Sequence, residues 1–243
     1  MPAGSTTHLD RPFVVRSLQR VFEREFGKGL FLAVTERFQA PARALVFGGV
    51  LRNAVLSAVL RKSFPVRDVD FVVFGLANDD QLYAGFRAER PQQNSFGGLK
   101  VIVQGLIVDI WRAELALEIA GQPPHVAGIE EFLKCVTLTT DAILFDPQSP
   151  TVYEQGFLRA IRHEEIDLGS HSRWSDHWTP YHLAHLAYLR ELTGFRISAP
   201  ARMRVRETAT ESAVEQAIQY LESRNKCRSP RDAVLALIHE TRS

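Results

Sequence analysis

The chain has 243 residues, of which 45% are hydrophobic and 23% charged, and its formal net charge at pH 7 is +1. This composition excludes a disordered protein, and no apolar run reaches the ~20 residues that a membrane-spanning helix needs. The near-neutral charge gives no strong signal for nucleic-acid binding. Residues 1–10 show neither a secretion signal nor an Arg-rich amphipathic pattern, and the two cysteines are Cys135 and Cys227. We therefore expect a cytoplasmic protein with reduced thiols and one sizeable core.

The N-terminal part predicts a helix followed by a strand, a glycine turn and a second helix. Apolar residues recur at helical spacing between Arg11 and Gly27, where the glycine ends the pattern. Ala44 to Phe47 is a short apolar run typical of a buried strand, and Gly48-Gly49 end it sharply. Val50 to Arg61 carries apolar residues on one helical face. The glycine turn is thus expected at the start of a helix.

The next predicted strand carries two of the aspartates on which the functional interpretation depends. Asp68 to Phe74 alternates at first and then becomes wholly apolar, as expected of a strand that is exposed only at its beginning. Residues two apart point to the same side of a strand. We therefore expect Asp68 and Asp70 to present their carboxylates together, while Val69 faces the core.

A β-hairpin carries the third aspartate. The apolar, β-branched runs 99–103 and 106–111 are joined by Gln104-Gly105, a strong turn signal. Asp109 is the only charged residue in the second arm, and a carboxylate within such a run requires a specific reason. A second hairpin is predicted around Asp146-Pro147.

The rest of the chain is predicted to be mainly helical. A helix is expected over 128–136, polar turn-forming residues over 169–175 indicate a domain boundary, and the pattern is helical from Pro180 onward. The sequence therefore predicts an α/β fold. A mixed β-sheet head over residues 1–170 would be followed by a small α-helical neck over residues 171–243.

Gly48, Gly49 and the three aspartates together predict a phosphate site with two Mg²⁺ ions. Nucleotidyl transfer requires neutralised phosphate charge and an attacking oxygen in line, and two carboxylate-held ions ~3.5–4 Å apart provide both. The glycines let the backbone approach phosphate oxygens, and Arg52 on the next helical turn can add a bidentate phosphate contact. A glycine turn or an Asp-x-Asp pair alone is often purely structural. Their combination with Asp109 favours a metal and phosphate site.

In this order the motifs resemble the DNA polymerase β-like nucleotidyltransferase superfamily, specifically the head domain of bacterial poly(A) polymerases and class II CCA-adding tRNA nucleotidyltransferases. In that family a strand leads into Gly-Gly-x-x-Arg-Asp, followed by Asp-x-Asp and a third carboxylate, whereas here Asn53 replaces the first acid. The resemblance implies a nucleotidyltransferase head in which Asp68 and Asp70 hold both metals. It also implies that Asp109 holds the catalytic metal and helps to activate the acceptor hydroxyl, with ATP or another nucleoside triphosphate as substrate.

The resemblance covers residues 40 to 200, but the nucleotide-reading positions differ. Residues 134–142 lie where the family has Arg-Arg-Asp-Phe-Thr-Ile-Asn-Ala, and residues 159–163 and 180–195 are similar to later motifs. The substituted positions are Val136 and Thr137 in the ribose motif, and Thr179, His182, His185 and Tyr188 in the neck motif. The resemblance implies that Thr179, His182 and His185 contact the nucleotide, with fewer fixed hydrogen bonds than an Asp–Arg pair. The base preference therefore stays open.

His182 and His185 have a second interpretation. Two histidines three apart on a predicted helix can share a transition metal. Contact with a base or a phosphate, or a plain surface position, is the favoured explanation.

Two further groups are also open to more than one interpretation. Arg202, Arg204 and Arg206 form a basic stripe that can contact phosphates, although such a stripe is more often a solvated face. Trp174 and Trp178 can stack on a base, although aromatic residues at a domain junction more often pack.

The leading hypothesis is a Mg²⁺-dependent nucleotidyltransferase. It would move a nucleoside monophosphate from a triphosphate to an acceptor, with an RNA 3′ end as the favoured acceptor, and release pyrophosphate. The near-neutral charge and altered motifs leave two alternatives: a small-molecule or protein hydroxyl as the acceptor, or a nucleotide-binding module without turnover. The oligomeric state is left open.

Overall fold

The computed structural model describes residues 9–27, 29–64, 69–94, 97–115, 128–225 and 227–242. The helices of these segments are α1 (Arg11–Glu25), α2 (Gly29–Thr35), α3 (Gly49–Leu60), α4 (Asp79–Ala84), α5 (Ile129–Cys135), α6 (Phe157–His163), α7 (Thr179–Thr193), α8 (Ala199–Thr208), α9 (Glu211–Arg224) and α10 (Pro230–Arg242). The strands are β1 (Arg43–Phe47), β2 (Val69–Phe74), β3 (Gln92–Gln93), β4 (Leu99–Val103), β5 (Leu106–Arg112), β6 (Ile143–Asp146), β7 (Thr151–Glu154), β8 (Glu165–Ile166) and β9 (Arg196–Ile197).

Seven strands form one mixed sheet in the order β3-β4-β5-β2-β1-β6-β7. β2 and β5 run parallel, and every other neighbouring pair in this sheet is antiparallel. The predicted hairpin of β4 and β5 is confirmed, since Val103 pairs with Leu106. Its turn residues Gln104 and Gly105 have φ of 52° and 80°, as a type I′ turn requires. The predicted mixed α/β fold is therefore confirmed.

Alternating side chains give the sheet two buried faces. Val69 and Phe71 of β2 enter the larger core, which α1 and α3 cover. Val72 points to the opposite face, where it joins a smaller cluster with Phe132 of α5. Because residues two apart share a face, Asp70 lies on the Val72 side of the sheet. Val69 thus faces the core, as predicted.

The chain after residue 178 is largely helical, as predicted. Helix α7 packs against α9 and α10, and it buries Leu183, Leu186 and Leu189 completely. The larger core is continuous from Leu9 to Ile238, so it includes residues from both sides of the predicted boundary. The division at residue 170 stays a prediction. None of the helices in the described part of the chain combines the length and apolar character that a membrane span requires.

Helix α8 lies within the region predicted to be helical from Pro180 onward. It buries only Ala201 and Val205, so its apolar pattern is weak. Its start is defined locally instead, because the Ser198 side chain accepts a hydrogen bond from the Ala201 N–H at 3.2 Å. Two of the arginines of the predicted basic stripe contact other groups of the chain. Arg204 pairs with Glu207 at 3.5 Å, and Arg206 donates to the Thr241 carbonyl.

Candidate active site

Asp70 and Asp109 occupy neighbouring positions in the centre of the sheet. They are register partners in the parallel pair of β2 and β5, whose strands lie ~4.8 Å apart. Both carboxylates lie on the same face, because Val69 and Val108, the residues just before them, enter the larger core on the other face. The structure thus brings together two of the three predicted acids. Asp68, the third, lies outside the described residues.

Gly48 places the start of α3 against the Asp70 carboxylate. Its φ of 79° and ψ of −144° lie in a region that residues with a side chain avoid. A Cβ at this position would lie 3.4 Å from Asp70 Oδ2. The predicted strand, glycine turn and helix therefore adjoin the predicted acids. A helix N-terminus with glycine at its first turn is a favourable position for phosphate oxygens.

Asp109 is bound by two polar side chains that sequence reasoning missed. The Lys100 ammonium lies 2.7 Å from Asp109 Oδ2, and the Asn94 amide donates to Oδ1 at 3.0 Å. Lys100 lies directly opposite Asp109 in the β4–β5 hairpin. The Lys100 contact could have been found from the sequence. Counting outward from the predicted turn at Gln104-Gly105 pairs position 100 with position 109.

Arg52 is buried beside the glycine turn, with only 3% of its surface exposed. Its guanidinium forms an ion pair with Asp141, and its Nε donates to Asn53 Oδ1 at 3.0 Å. A Cβ on Gly49 would lie 3.3 Å from Arg52 Nη2, so the glycine also gives the guanidinium room. The structure shows Arg52 joining α3 to the 3-10 turn that contains Asp141. Its predicted contact with a phosphate stays a prediction.

Asp141 extends this buried network to helix α7. Its Oδ2 lies 2.7 Å from His185 Nε2, and the His185 ring stacks on Tyr181 with centroids 5.9 Å apart. Burial by itself would raise the pKa of Asp141, but Arg52 and His185 lower it to about 2. The carboxylate is therefore ionised and connects the predicted neck histidine to α3.

The motifs of the resemblance imply an Asn where this chain has Asp141 and an Asp where it has Asn53. By that resemblance, the acid and the amide each stand in the other's position here. The structure shows one carboxylate, that of Asp141, paired with the buried Arg52.

His182 lies in a different environment from His185. It is 1% exposed, and neither of its ring nitrogens has a hydrogen-bond partner among the described residues. Burial, with a smaller contribution from His185, lowers the pKa of His182 to about 3, so this ring is neutral at physiological pH. Within the described part of the chain, neither histidine belongs to a group of three converging metal-ligating atoms. Their roles at a nucleotide stay predictions.

Thr179 and Trp174 are also buried near the start of α7. Thr179 is 3% exposed and donates its hydroxyl to the Ser175 carbonyl at 2.9 Å. The Trp174 ring lies 5.3 Å from the His182 ring and belongs to the larger core. Trp174 therefore packs, in agreement with the simpler interpretation.

Comparisons with known proteins identify the fold. No protein-family model matches the chain, and no curated protein matches it significantly in sequence. The Thermotoga maritima CCA-adding enzyme complexed with tRNA_CCA matches with a TM-score of 0.68 at 16% identity, over 94% of this chain and 54% of that one. A CCA-adding enzyme with CTP matches with a TM-score of 0.66 at 16% identity, over 94% and 54% of the two chains. The chain shares their fold.

A tRNA nucleotidyltransferase complexed with a primer tRNA and an incoming ATP analog also matches. Its TM-score is 0.56 at 18% identity, over 83% of this chain and 58% of that one. The expected resemblance to a nucleotidyltransferase head is thus confirmed. The chain spans about half the length of these matched structures.

The described residues fit the divalent cation that the resemblance implies. Carboxylate oxygens are the ligands that Mg²⁺ prefers, and Asp70 and Asp109 supply them from neighbouring strands. The ammonium of Lys100 already provides a positive charge at Asp109. A Mg²⁺ ion at Asp109 would therefore replace or share this contact with Lys100.

Proposed function

We propose that this chain is a Mg²⁺-dependent nucleotidyltransferase that moves a nucleoside monophosphate from a triphosphate to an RNA 3′ end and releases pyrophosphate. The observation that carries the proposal is the pairing of Asp70 with Asp109 on parallel strands, beside the Gly48 turn that starts α3. The fold supports it, because the matched structures include enzymes complexed with CTP, with tRNA and with an ATP analog.

In this proposal the acids hold the metals and the glycine turn receives the phosphates. Asp68, Asp70 and Asp109 would bind two Mg²⁺ ions, which supply charge neutralisation at the reacting phosphate. Gly48 and Gly49 would let the triphosphate approach the first turn of α3. The Asp109 carboxylate, oriented by Asn94, would lie at the acceptor hydroxyl.

Helix α7 would contact the nucleotide in the proposed complex. Thr179, His182 and His185 lie on α7, and His185 is connected to α3 through Asp141 and Arg52. Arg52 would act on the phosphates either directly or by fixing the start of α3. The neutral ring of His182 can both donate and accept a hydrogen bond. Because it is 1% exposed, it would have to become accessible in the complex to contact a base edge.

A small-molecule or protein hydroxyl is the second candidate acceptor. The net charge of +1 favours it, because RNA binding usually depends on an excess of basic residues. The two candidates share the nucleotidyl-transfer chemistry and differ only in the acceptor.

The test is a labelled-nucleotide screen with the purified full chain. The protein and Mg²⁺ are incubated with each of the four common α-labelled triphosphates and, separately, with total RNA, lysate protein or small metabolites. We expect label in RNA and release of pyrophosphate. Label in another pool would identify the second candidate, whereas absence of pyrophosphate release in every arm would overturn the proposal.

A pair of matched variants connects the activity to the site. Asp70→Asn should abolish transfer, while Asp80→Asn, an exposed residue on α4, should leave it unchanged. Far-UV circular dichroism of both variants checks that the fold is retained. Full transfer by Asp70→Asn would contradict the assignment of this site.

A further inference from the structure

A second group of potential metal ligands lies on α5, and it contains none of the proposed catalytic residues. Glu131 and Cys135 are four residues apart and so lie on one face of this helix. The His171 Nδ1 atom lies 3.1 Å from Glu131 Oε1. One ligand atom from each of these three residues lies within 4.8 Å of the others.

The approach of His171 to α5 is set by the backbone. The His171 N–H donates to the Lys134 carbonyl at 2.9 Å, and the Gly169 N–H donates to the Thr137 carbonyl at 3.0 Å. A Cβ on Gly169 would lie only 1.9 Å from the Val136 carbonyl oxygen, so no other residue lets this segment come as close. The proximity of the imidazole to Cys135 therefore does not depend on side-chain rotamers alone.

The three donors are those that Zn²⁺ prefers. A thiolate, an imidazole and a carboxylate bind zinc at ~2.0–2.3 Å, which puts neighbouring ligand atoms of a tetrahedral site roughly 3.3–3.6 Å apart. The Glu131–His171 separation of 3.1 Å is close to this range. A sulfur ligand disfavours Mg²⁺, which prefers oxygen, so this group differs in chemistry from the Asp70 and Asp109 pair.

Burial and charge are also compatible with a metal ion. Cys135 is 3% exposed, whereas the side chains of Glu131 and His171 are 37% and 49% exposed. An ion would therefore bind the buried thiolate on its inner side and be accessible to water on the side of Glu131 and His171. Lys134 lies 3.1 Å from Glu130 and 3.6 Å from Glu131 Oε2, which leaves Glu131 Oε1 directed at His171.

We propose that Glu131, Cys135 and His171 bind one Zn²⁺ ion, with water as a fourth ligand. The ion would link His171, in the segment that precedes α7, to Glu131 and Cys135 of helix α5. Because Thr179, His182 and His185 follow that segment, the metal would stabilise the position of α7 beside the sheet. This site does not depend on the proposed transfer activity.

Co²⁺ titration of the full chain tests the site, since a thiolate bound to Co²⁺ gives a near-ultraviolet charge-transfer band. Protein purified without a histidine tag and stripped with a chelator should develop this band at one equivalent of Co²⁺, and Zn²⁺ should remove it. Cys135→Ser should abolish the band, while Cys227→Ser should retain it. A wild-type protein without the band, or a band lost only in Cys227→Ser, would overturn the proposal.

A second pair of variants separates binding from folding, because Cys135 is buried. His171→Asn changes an exposed ligand and should weaken Co²⁺ binding at least tenfold, whereas His163→Asn, at the exposed end of α6, should not. The unfolding temperature of the wild type should rise on addition of Zn²⁺, and this rise should disappear in His171→Asn. An equal rise in His171→Asn and in the wild type would contradict the site.

Discussion

Among single residues, Lys100 is paired with a carboxylate that the proposed reaction requires as a metal ligand. Its ammonium lies 2.7 Å from Asp109 Oδ2, so it competes with Mg²⁺ for this carboxylate. The Lys100 side chain is 43% exposed, and such screened pairs contribute only ~0.2–1 kcal/mol. Lys100→Met should therefore lower the Mg²⁺ concentration for half-maximal transfer by about 1.5–5-fold. A Mg²⁺ titration of the transfer rate measures this change.

The surface variant Lys62→Met serves as the control for the loss of one positive charge. It should leave the Mg²⁺ requirement unchanged, since Lys62 follows α3 at an exposed position. If Lys100→Met instead needed more Mg²⁺ or lost activity at saturating Mg²⁺, competition would be the wrong explanation. Lys100 would then be a ligand of the triphosphate.

The exchange between Asn53 and Asp141 gives a second prediction at the residue scale. Arg52 is 3% exposed, and Asp141 neutralises its charge. Removing one partner of a buried ion pair costs ~3–5 kcal/mol, so Asp141→Asn should lower the free energy of unfolding by about that amount. Urea unfolding followed by circular dichroism measures the loss.

The double variant Asn53→Asp, Asp141→Asn should recover most of this stability. Arg52 Nε donates to Asn53 Oδ1 at 3.0 Å, so an aspartate at position 53 would return a carboxylate to the guanidinium. It would also restore the arrangement of the family motifs. Additive losses in the double variant would show that position 53 cannot neutralise Arg52 in this chain.

At the scale of elements, the turn between β1 and α3 connects backbone conformation to the site. Gly48→Ala would force a side chain into a region of φ and ψ that costs ~1–3 kcal/mol, and its Cβ would contact Asp70. We expect a loss of stability of that size and a larger loss of transfer, roughly tenfold or more, because the Asp70 carboxylate is displaced. Thermal unfolding and the initial rate of transfer are each measured for Gly48→Ala and for the wild type.

Gly194→Ala is the matched control for Gly48→Ala. Gly194 has a φ of 74° at the end of α7, and a Cβ there would meet no atom within 4 Å among the described residues. This variant should lose ~1 kcal/mol of stability and keep its transfer rate. Similar losses of rate in the two variants would indicate that general destabilisation, and not contact with Asp70, reduces activity.

Elements with a strong local sequence signal could be predicted, and the bounds of elements with a weak one could not. The β4–β5 hairpin was predictable because Gln104-Gly105 is a strong turn signal between two apolar runs. The bounds of helix α8 were not, because only Ala201 and Val205 are buried and the apolar period is too weak to locate them. Asp70 stood out in the sequence as a candidate site residue for a similar reason, since its neighbours in β2 are all apolar.

At the scale of the whole molecule, the Arg52–Asp141–His185 network connects the sheet with the C-terminal helices. Burial would raise the pKa of Asp141, yet Arg52 and His185 lower it to about 2, below the ordinary value of 3.8. A carboxylate whose pKa is lower in the folded state stabilises the fold above its unfolded pKa. This contribution is lost as the pH falls towards the folded pKa.

The wild type should therefore lose about 2 kcal/mol through Asp141 as the pH falls from ~4 to ~2. Asp141→Asn cannot lose this contribution, so the stability difference between wild type and variant should shrink with falling pH. Urea unfolding of both proteins at about pH 5 and about pH 3 measures the two differences. A difference that stays constant would show that Asp141 does not have a lowered pKa.

The order of the main elements, the glycine turn before α3 and the alternation that puts Asp70 on one face of β2 could all be predicted from local sequence. These features depend on local preferences, such as the conformational freedom of Gly48 and the alternation along β2. The tertiary structure was needed to show that Asp70 lies beside Asp109 and that His185 reaches Arg52 through Asp141. These contacts join residues 39 to 89 positions apart in the chain, and no local pattern specifies them.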